Sequence, residues 1–153
     1  MTLRLHRLER RQRLDRPADE VFRFFARAHN LERITPSWLR FEVRATEPAQ
    51  IQEGAVIHYR LRLHGVPLRW TSRIEEWAPD RGFVDRQICG PYRVWHHRHT
   101  FSADGDGTII GDEVHYALPM GRLGDLAHAL FVRRDLERIF DYRHAAVRDL
   151  LGP

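Results

Sequence analysis

Lysine is absent from this 153-residue sequence, and all 25 of its basic residues are arginine. That absence excludes a Schiff-base or pyridoxal-phosphate lysine and the lysine of a phosphate-binding P-loop. Cysteine occurs once, at Cys89, so no internal disulfide can form, which fits a reducing compartment. No apolar run approaches the ~20 residues needed to span a bilayer, so stable membrane insertion is not expected. The opening stretch MTLRLHRLERRQRLD alternates arginine with leucine and lacks the continuous apolar core of a secretion signal. The expected location is cytoplasmic. Missing as well are a Gly-x-Ser-x-Gly elbow and a Gly-rich dinucleotide loop; Gly105 and Gly107 sit in a hairpin turn instead.

What is present is a globular balance, 42% hydrophobic and 30% charged, enough for a real core in a single domain spanning 1–153. The net charge of +4 raises the question of nucleic acid. The arginines, however, run from Arg4 to Arg148 and interleave with 21 acids, and the one dense block is Arg7–Arg16. Charge spread in this way is weak support, so no nucleic-acid partner is expected.

The pattern along the chain reads as α+β. Leu3 to Leu14 is a polar, edge-tolerant strand. A helix over about Pro17–Arg27 begins on a proline and two acids and buries Val21, Phe24 and Phe25. A short helix over Leu31–Ile34 stops before Pro36. The period then switches to two in Phe41–Thr46, Ile57–His64, Leu68–Glu75, Phe83–Cys89, Val94–Phe101 and Thr108–Leu118. Turn-like joins such as His64-Gly65-Val66-Pro67 and Asp104-Gly105-Asp106-Gly107 make these strands an antiparallel meander. From about Gly121 to Leu151 a long helix carries the stripe Val132, Leu136, Ile139, Phe140, Val147 and Leu150. It must cover the sheet's apolar face together with the two short helices.

If Arg86 and Arg98 face water, their neighbours face inward. Phe83, Asp85, Gln87 and Cys89 then point in from one strand, Trp95, His97, His99 and Phe101 from the next, and Asp112, Val114 and Tyr116 from the last. The opposite register would bury Val84 and Ile88. The early strands thus offer a greasy wall, and the late ones offer Asp85, Gln87, His97, His99 and Asp112. Buried polar groups must be paired or wet. Two readings follow: a satisfied hydrogen-bond network, or the polar end of a small-molecule pocket. Arg143 falls on the helix's apolar stripe, where a permanent cation requires a carboxylate such as Asp85 or Asp112, or an anionic ligand. His97-Arg98-His99 also has the alternation of a metal site, with Asp85 or Asp112 as third ligand. That pattern is short in a chain with ten histidines, so neither a metal nor a cofactor is expected.

The segments NLERITPSWL (30–39), FVDRQ (83–87), GPY (90–92), WHHRHTF (95–101), DEVHYALP (112–119) and IFDYR (139–143) occur in order along nearly the whole chain. Together with the element order they resemble the helix-grip START/SRPBCC superfamily, and in particular bacterial ligand-binding SRPBCC proteins related to polyketide cyclase/dehydrase proteins. The resemblance implies a curved antiparallel sheet of about seven strands and a hydrophobic cavity under the long helix. It carries over no catalytic residue.

The first reading is therefore binding of a small hydrophobic or polycyclic molecule. Its ligand-binding residues would be Tyr59, Trp70, Asp85, Gln87, Trp95, His97, His99, Tyr116, Phe131, Phe140 and Arg143, with Phe41, Leu61 and Ile74 as further walls. The second is a cyclase/dehydratase-like enzyme with His97 or His99 as general base and Asp85 or Asp112 as orienter. A third is a macromolecular interaction module with an Arg-rich outer face and a filled interior. The sequence carries no signal for oligomeric state.

Overall fold

In a computed structural model that describes residues 3–152, the chain runs β1 (His6–Leu14), α1 (Ala18–Phe25), α2 (Asn30–Arg33) and a 3-10 turn (Ser37–Leu39). Strands β2 (Glu42–Glu47), β3 (Val56–Leu63), β4 (Val66–Ala78), β5 (Gly82–Cys89), β6 (Val94–Asp104) and β7 (Gly107–Ala117) follow. The chain ends in α3 (Gly121–Ala127), a wide π-helical turn (His128–Val132) and α4 (Arg133–Leu151). One antiparallel sheet has the order β1-β7-β6-β5-β4-β3-β2. Every neighbouring pair but β1–β7 is consecutive in sequence, as short hairpins require.

α1 starts after Pro17, whose extended backbone (φ −60°, ψ 148°) leads into Asp19 and Glu20 in the first turn, where the helix dipole favours acids. Its buried face is Val21, Phe22 and Phe25, not the expected Val21, Phe24 and Phe25. At ~100° per residue Phe22 and Phe24 flank the Val21–Phe25 face equally, and it is Phe22 that packs on Trp77 and Phe101. Phe24 lies at the margin under the Arg33 guanidinium, 5.8 Å away.

The inward register of β5 to β7 is the expected one. Phe83 stacks on His99 (4.4 Å), and Trp95 lies opposite Tyr116. Two details differ. Val84 is fully buried although it faces outward; it lies between Glu75 and Arg98 across the strands, where the side chains of the Arg98–Glu76 and Arg86–Glu75 pairs can cover it. Cys89 is exposed, not inward. Ser72 pairs with Gln87 but Thr71 with Cys89, so Ile88 is an extra residue, and the bulge turns Cys89 to the outer face.

The expected single helix over 121–151 is interrupted by the π-helical turn. α4 is tied to the sheet at three levels. Asp135 meets His64 of the β3–β4 turn at 2.7 Å. The Gln12 amide donates to the His144 carbonyl at 2.8 Å, and the Arg16 guanidinium donates to the Leu151 carbonyl at 2.7 Å. That last bond satisfies one of the carbonyls a helix end leaves open, just before Gly152 (φ 87°) stops the helix. The core forms two clusters. One joins α1 to the sheet through Phe22, Phe25, Phe83 and Phe101; the other joins α4 to it through Trp95, Val114, Tyr116, Leu136 and Phe140.

Candidate functional site

A cavity of about 170 Å³ lies between the sheet and α4, bordered by Leu31, Thr35 and Leu39 on one side and Pro91 and Tyr92 on the other. Phe41, Tyr59, Leu61, Leu68, Trp70 and Trp95 make its apolar wall, and Leu136, Ile139 and Phe140 of α4 cover it. Asp85, His97, His99 and Arg143 stand at one end, with Ser72 beside them accepting the Trp70 indole N–H at 2.9 Å. The interior is therefore neither filled nor as roomy as the ~300 Å³ usual for drug-sized ligands.

The polar end is a closed ring of alternating imidazoles and carboxylates. His97 and His99 are two residues apart on β6, so both point inward, and their rings stack at 3.7 Å. Asp85 on β5 lies opposite His97, and Asp112 on β7 lies opposite His99, yet each histidine bonds its diagonal acid. His99 Nε2–H donates to Asp85 Oδ2 at 2.5 Å and His97 Nε2–H donates to Asp112 Oδ1 at 2.8 Å. Ionised carboxylates only accept, which fixes these tautomers. The second ring nitrogens also face acids: His97 Nδ1 is 3.5 Å from Asp85 and His99 Nδ1 is 3.5 Å from Asp112.

Arg143 closes the ring from α4. Its Nη2 is 3.5 Å from His99 Nδ1 and 4.0 Å from Asp112, and the guanidinium lies over Phe25 and Phe140. The expected pairing of Arg143 with an acid is thus to Asp112. Burial by itself raises the Asp112 pKa, but the charge of Arg143 and the bond from His97 outweigh it and hold the group well below the usual carboxylate range. Asp85 is lowered in the same way, with burial opposed by His97, the His99 bond and Arg143. Burial and the neighbouring His97 push His99 down to about 4 despite the Asp85 bond, so it is neutral at pH 7. Burial carries the Tyr59 hydroxyl far above its ordinary value, so it stays a neutral donor.

Eight of the expected ligand-binding residues surround this cavity: Tyr59, Trp70, Asp85, Trp95, His97, His99, Phe140 and Arg143. Three do not. Gln87 is engaged in the Gly90–Tyr92 turn, donating to the Tyr92 carbonyl (2.8 Å) and accepting the Tyr92 N–H (3.1 Å). Tyr116 lies behind Trp95, its hydroxyl 2.7 Å from His128 Nε2. Phe131 is 58% exposed: five residues before Leu136, it lies ~140° round the helix from the face that Leu136, Phe140 and Val147 share. Ile74, an expected wall, belongs to the α1 core. Reasoning from periodicity alone also missed Tyr92, which sits in a turn yet packs on Trp95 (4.8 Å) and Trp70 (5.5 Å). An aromatic directly after a Gly-Pro pair between two strands was the available signal.

Asp85, His97 and His99 each offer a ligand atom within 4.8 Å of the others, a spacing a divalent cation could use. Such an ion would break the His99–Asp85 bond and sit near the Arg143 charge. The donor set fits a proton-sharing network better than a cation.

Among curated proteins, no match to this sequence is found. Solved structures of the same shape include protein CV1439 from Chromobacterium violaceum, at 13% identity and TM-score 0.74, covering 97% of this chain and 99% of that one. Major latex-like protein 151 from Panax ginseng aligns at 11% identity and TM-score 0.71, covering 97% and 99%. The Zhui aromatase/cyclase from Streptomyces aligns at 17% identity and TM-score 0.68, covering 96% of each chain. At these identities the likeness shows the helix-grip fold alone. No helix among the described residues is long and apolar enough to cross a membrane. Residues 14–141 match the family described as polyketide cyclase/dehydrase and lipid transport, and the chain belongs to that family.

Proposed function

We propose that this protein binds a small, largely apolar molecule in the cavity under α4, with the ligand's polar end against Asp85, His97, His99 and Arg143. The observation that carries this reading is the cavity's polarity: aromatic and aliphatic side chains line its length and four ionisable groups converge at one end. Family membership and the shared fold support it. At about 170 Å³ the space suits a compact molecule, and a polycyclic one would have to move the loop at Pro91 and Tyr92. The fluorescent probe 8-anilinonaphthalene-1-sulfonate should bind saturably, one per chain. Leu61→Trp, which fills the cavity, and Leu63→Trp, which blocks it from its rim, should each abolish that binding while circular dichroism stays unchanged. Equal binding by both folded variants would sink the reading.

Acid–base catalysis of a cyclisation or dehydration is the second reading. The observation favouring it is a neutral imidazole, His99, held by Asp85 at the cavity's polar end. It needs His99 Nδ1 to exchange its long 3.5 Å contact with Arg143 for a substrate proton. Turnover of a poly-β-ketone probe that disappears in His99→Gln, with binding of the anilinonaphthalene probe retained, separates catalysis from binding.

A further inference from the structure

The helical stretch from Gly121 to Val132 turns the wrong side of its sequence to water. Its inner side is carried by Gly124, Ala127 and His128, and Gly124 is buried so closely that a Cβ would lie 2.1 Å from the Pro119 carbonyl oxygen. Its large apolar side chains point out, with Leu123 64%, Leu126 55% and Leu130 57% exposed. Phe131 and, just before the helix, Met120 extend the same surface. The spacing 123–126–130 keeps these side chains on one face, so they form a contiguous patch, not scattered exposure. The fold itself gains nothing from this arrangement, since a helix buries its large residues when only its own sheet is to be covered.

Arginines rim the patch. Arg4 and Arg93 line a pocket of about 300 Å³ beside Met120, with Asp125 its one acid, and Arg122 and Arg134 are exposed along the same helical run. A second copy docked face to face would bring these like charges together, which costs association energy. A surface that is apolar within and anionic at its edge meets both features at once.

We propose that Met120–Phe131 is a docking face for an anionic phospholipid bilayer, with the leucines entering the acyl boundary and Arg4 and Arg93 holding a lipid phosphate between them. Docking here sets the membrane beside the cavity: Tyr92 lines the internal cavity while the adjacent Arg93 lines the basic pocket. The attachment is peripheral and does not depend on what the cavity binds.

Co-sedimentation with phosphatidylcholine vesicles, with and without phosphatidylglycerol, tests this on the whole chain. The wild type should bind the mixed vesicles more tightly than the neutral ones, and added salt should weaken the difference. Arg4→Gln/Arg93→Gln should weaken binding to mixed vesicles about five-fold per arginine and leave neutral-vesicle binding unchanged. Leu123→Gln/Leu126→Gln/Leu130→Gln should weaken binding to both at least about tenfold. All three leucines are more than half exposed, so the variant should keep its circular dichroism and its binding of the anilinonaphthalene probe. Binding to neither vesicle type, or equal binding by wild type and leucine variant, overturns the proposal. So does a wild-type dimer that the leucine substitutions dissociate without any vesicle binding, which would make the patch an interface between copies.

Discussion

At the scale of single residues, the polar end of the cavity is held by mutual satisfaction. Each of Asp85, His97, His99 and Asp112 meets two neighbours of the other kind, and Arg143 adds the positive charge that two carboxylates require. Removing one member leaves a buried group unpaired, which costs more than the bond was worth. Asp112→Asn should destabilise the fold by roughly 3 kcal/mol in urea titrations, because Arg143 then stays largely buried without its carboxylate. Arg143→Met alone should cost a similar amount. The double variant should cost clearly less than the sum, and strict additivity would show that the two side chains do not interact. Gly82 belongs to the same neighbourhood. A Cβ there would lie 2.2 Å from the His99 carbonyl oxygen, so Gly82→Ala should push β6 away from β5. Its signature would be a lower melting temperature together with altered His99 imidazole shifts.

At the scale of elements, the informative departures from the sequence pattern are phase errors. Period-two alternation correctly assigned the inward faces of β5 to β7 as far as Gln87, then a single inserted residue, Ile88, reversed it for Cys89. Period-3.6 spacing found Leu136, Phe140 and Val147 on α4, with Val132 packed against the same core, whereas Phe131 lies ~140° round from that face and is exposed. Bulges and π turns are set by what the segment packs against, and no local propensity announces them. The tie between His64 and Asp135 was equally hidden, since the residues are 71 apart in sequence. It depends on a two-residue turn in which His64 (φ 49°) and Gly65 (φ 80°) both take the left-handed conformation, aiming the imidazole at the start of α4. Asp135→Asn weakens that tie from the helix side. Hydrogen exchange should then speed up in the β3–β4 turn and in α4's first turn, with β6 and β7 unchanged; exchange rising evenly across the sheet would mean that Asp135 acts on global stability instead.

For the whole molecule, the ring of titratable groups links stability to pH. His99 has a folded pKa of about 4 against an ordinary 6.5, so between those values the unfolded chain binds more protons than the folded one. Stability should therefore fall as pH drops from about 6.5 to about 4, by up to roughly 3 kcal/mol from this group. The lowered Asp85 and Asp112 add a loss in the same direction below the ordinary carboxylate range, as protons are taken up by the unfolded chain first. Urea titrations at about pH 7 and about pH 4.5 measure the slope. His99→Asn should flatten it between about pH 6.5 and pH 4, and an unchanged slope would place the titration elsewhere.

What the sequence determined by itself is what depends on periodicity and composition: the sheet, the helix across it, the inward side of each late strand and the presence of His97, His99 and Asp85 on one surface. Those follow from local rules, since alternation and 3.6-residue spacing are properties of the chain and not of its partners. The tertiary structure alone decided the rest. It chose which acid each histidine bonds, brought Arg143 within 4.0 Å of Asp112, and seated Tyr92 at the cavity. It also left Leu123, Leu126 and Leu130 facing out, although their spacing alone marks a face to be buried. Burial is a property of the neighbours that happen to be present, and in this fold the stretch turns His128 toward Tyr116 of β7 and His6 of β1 and leaves the leucines on its outer side.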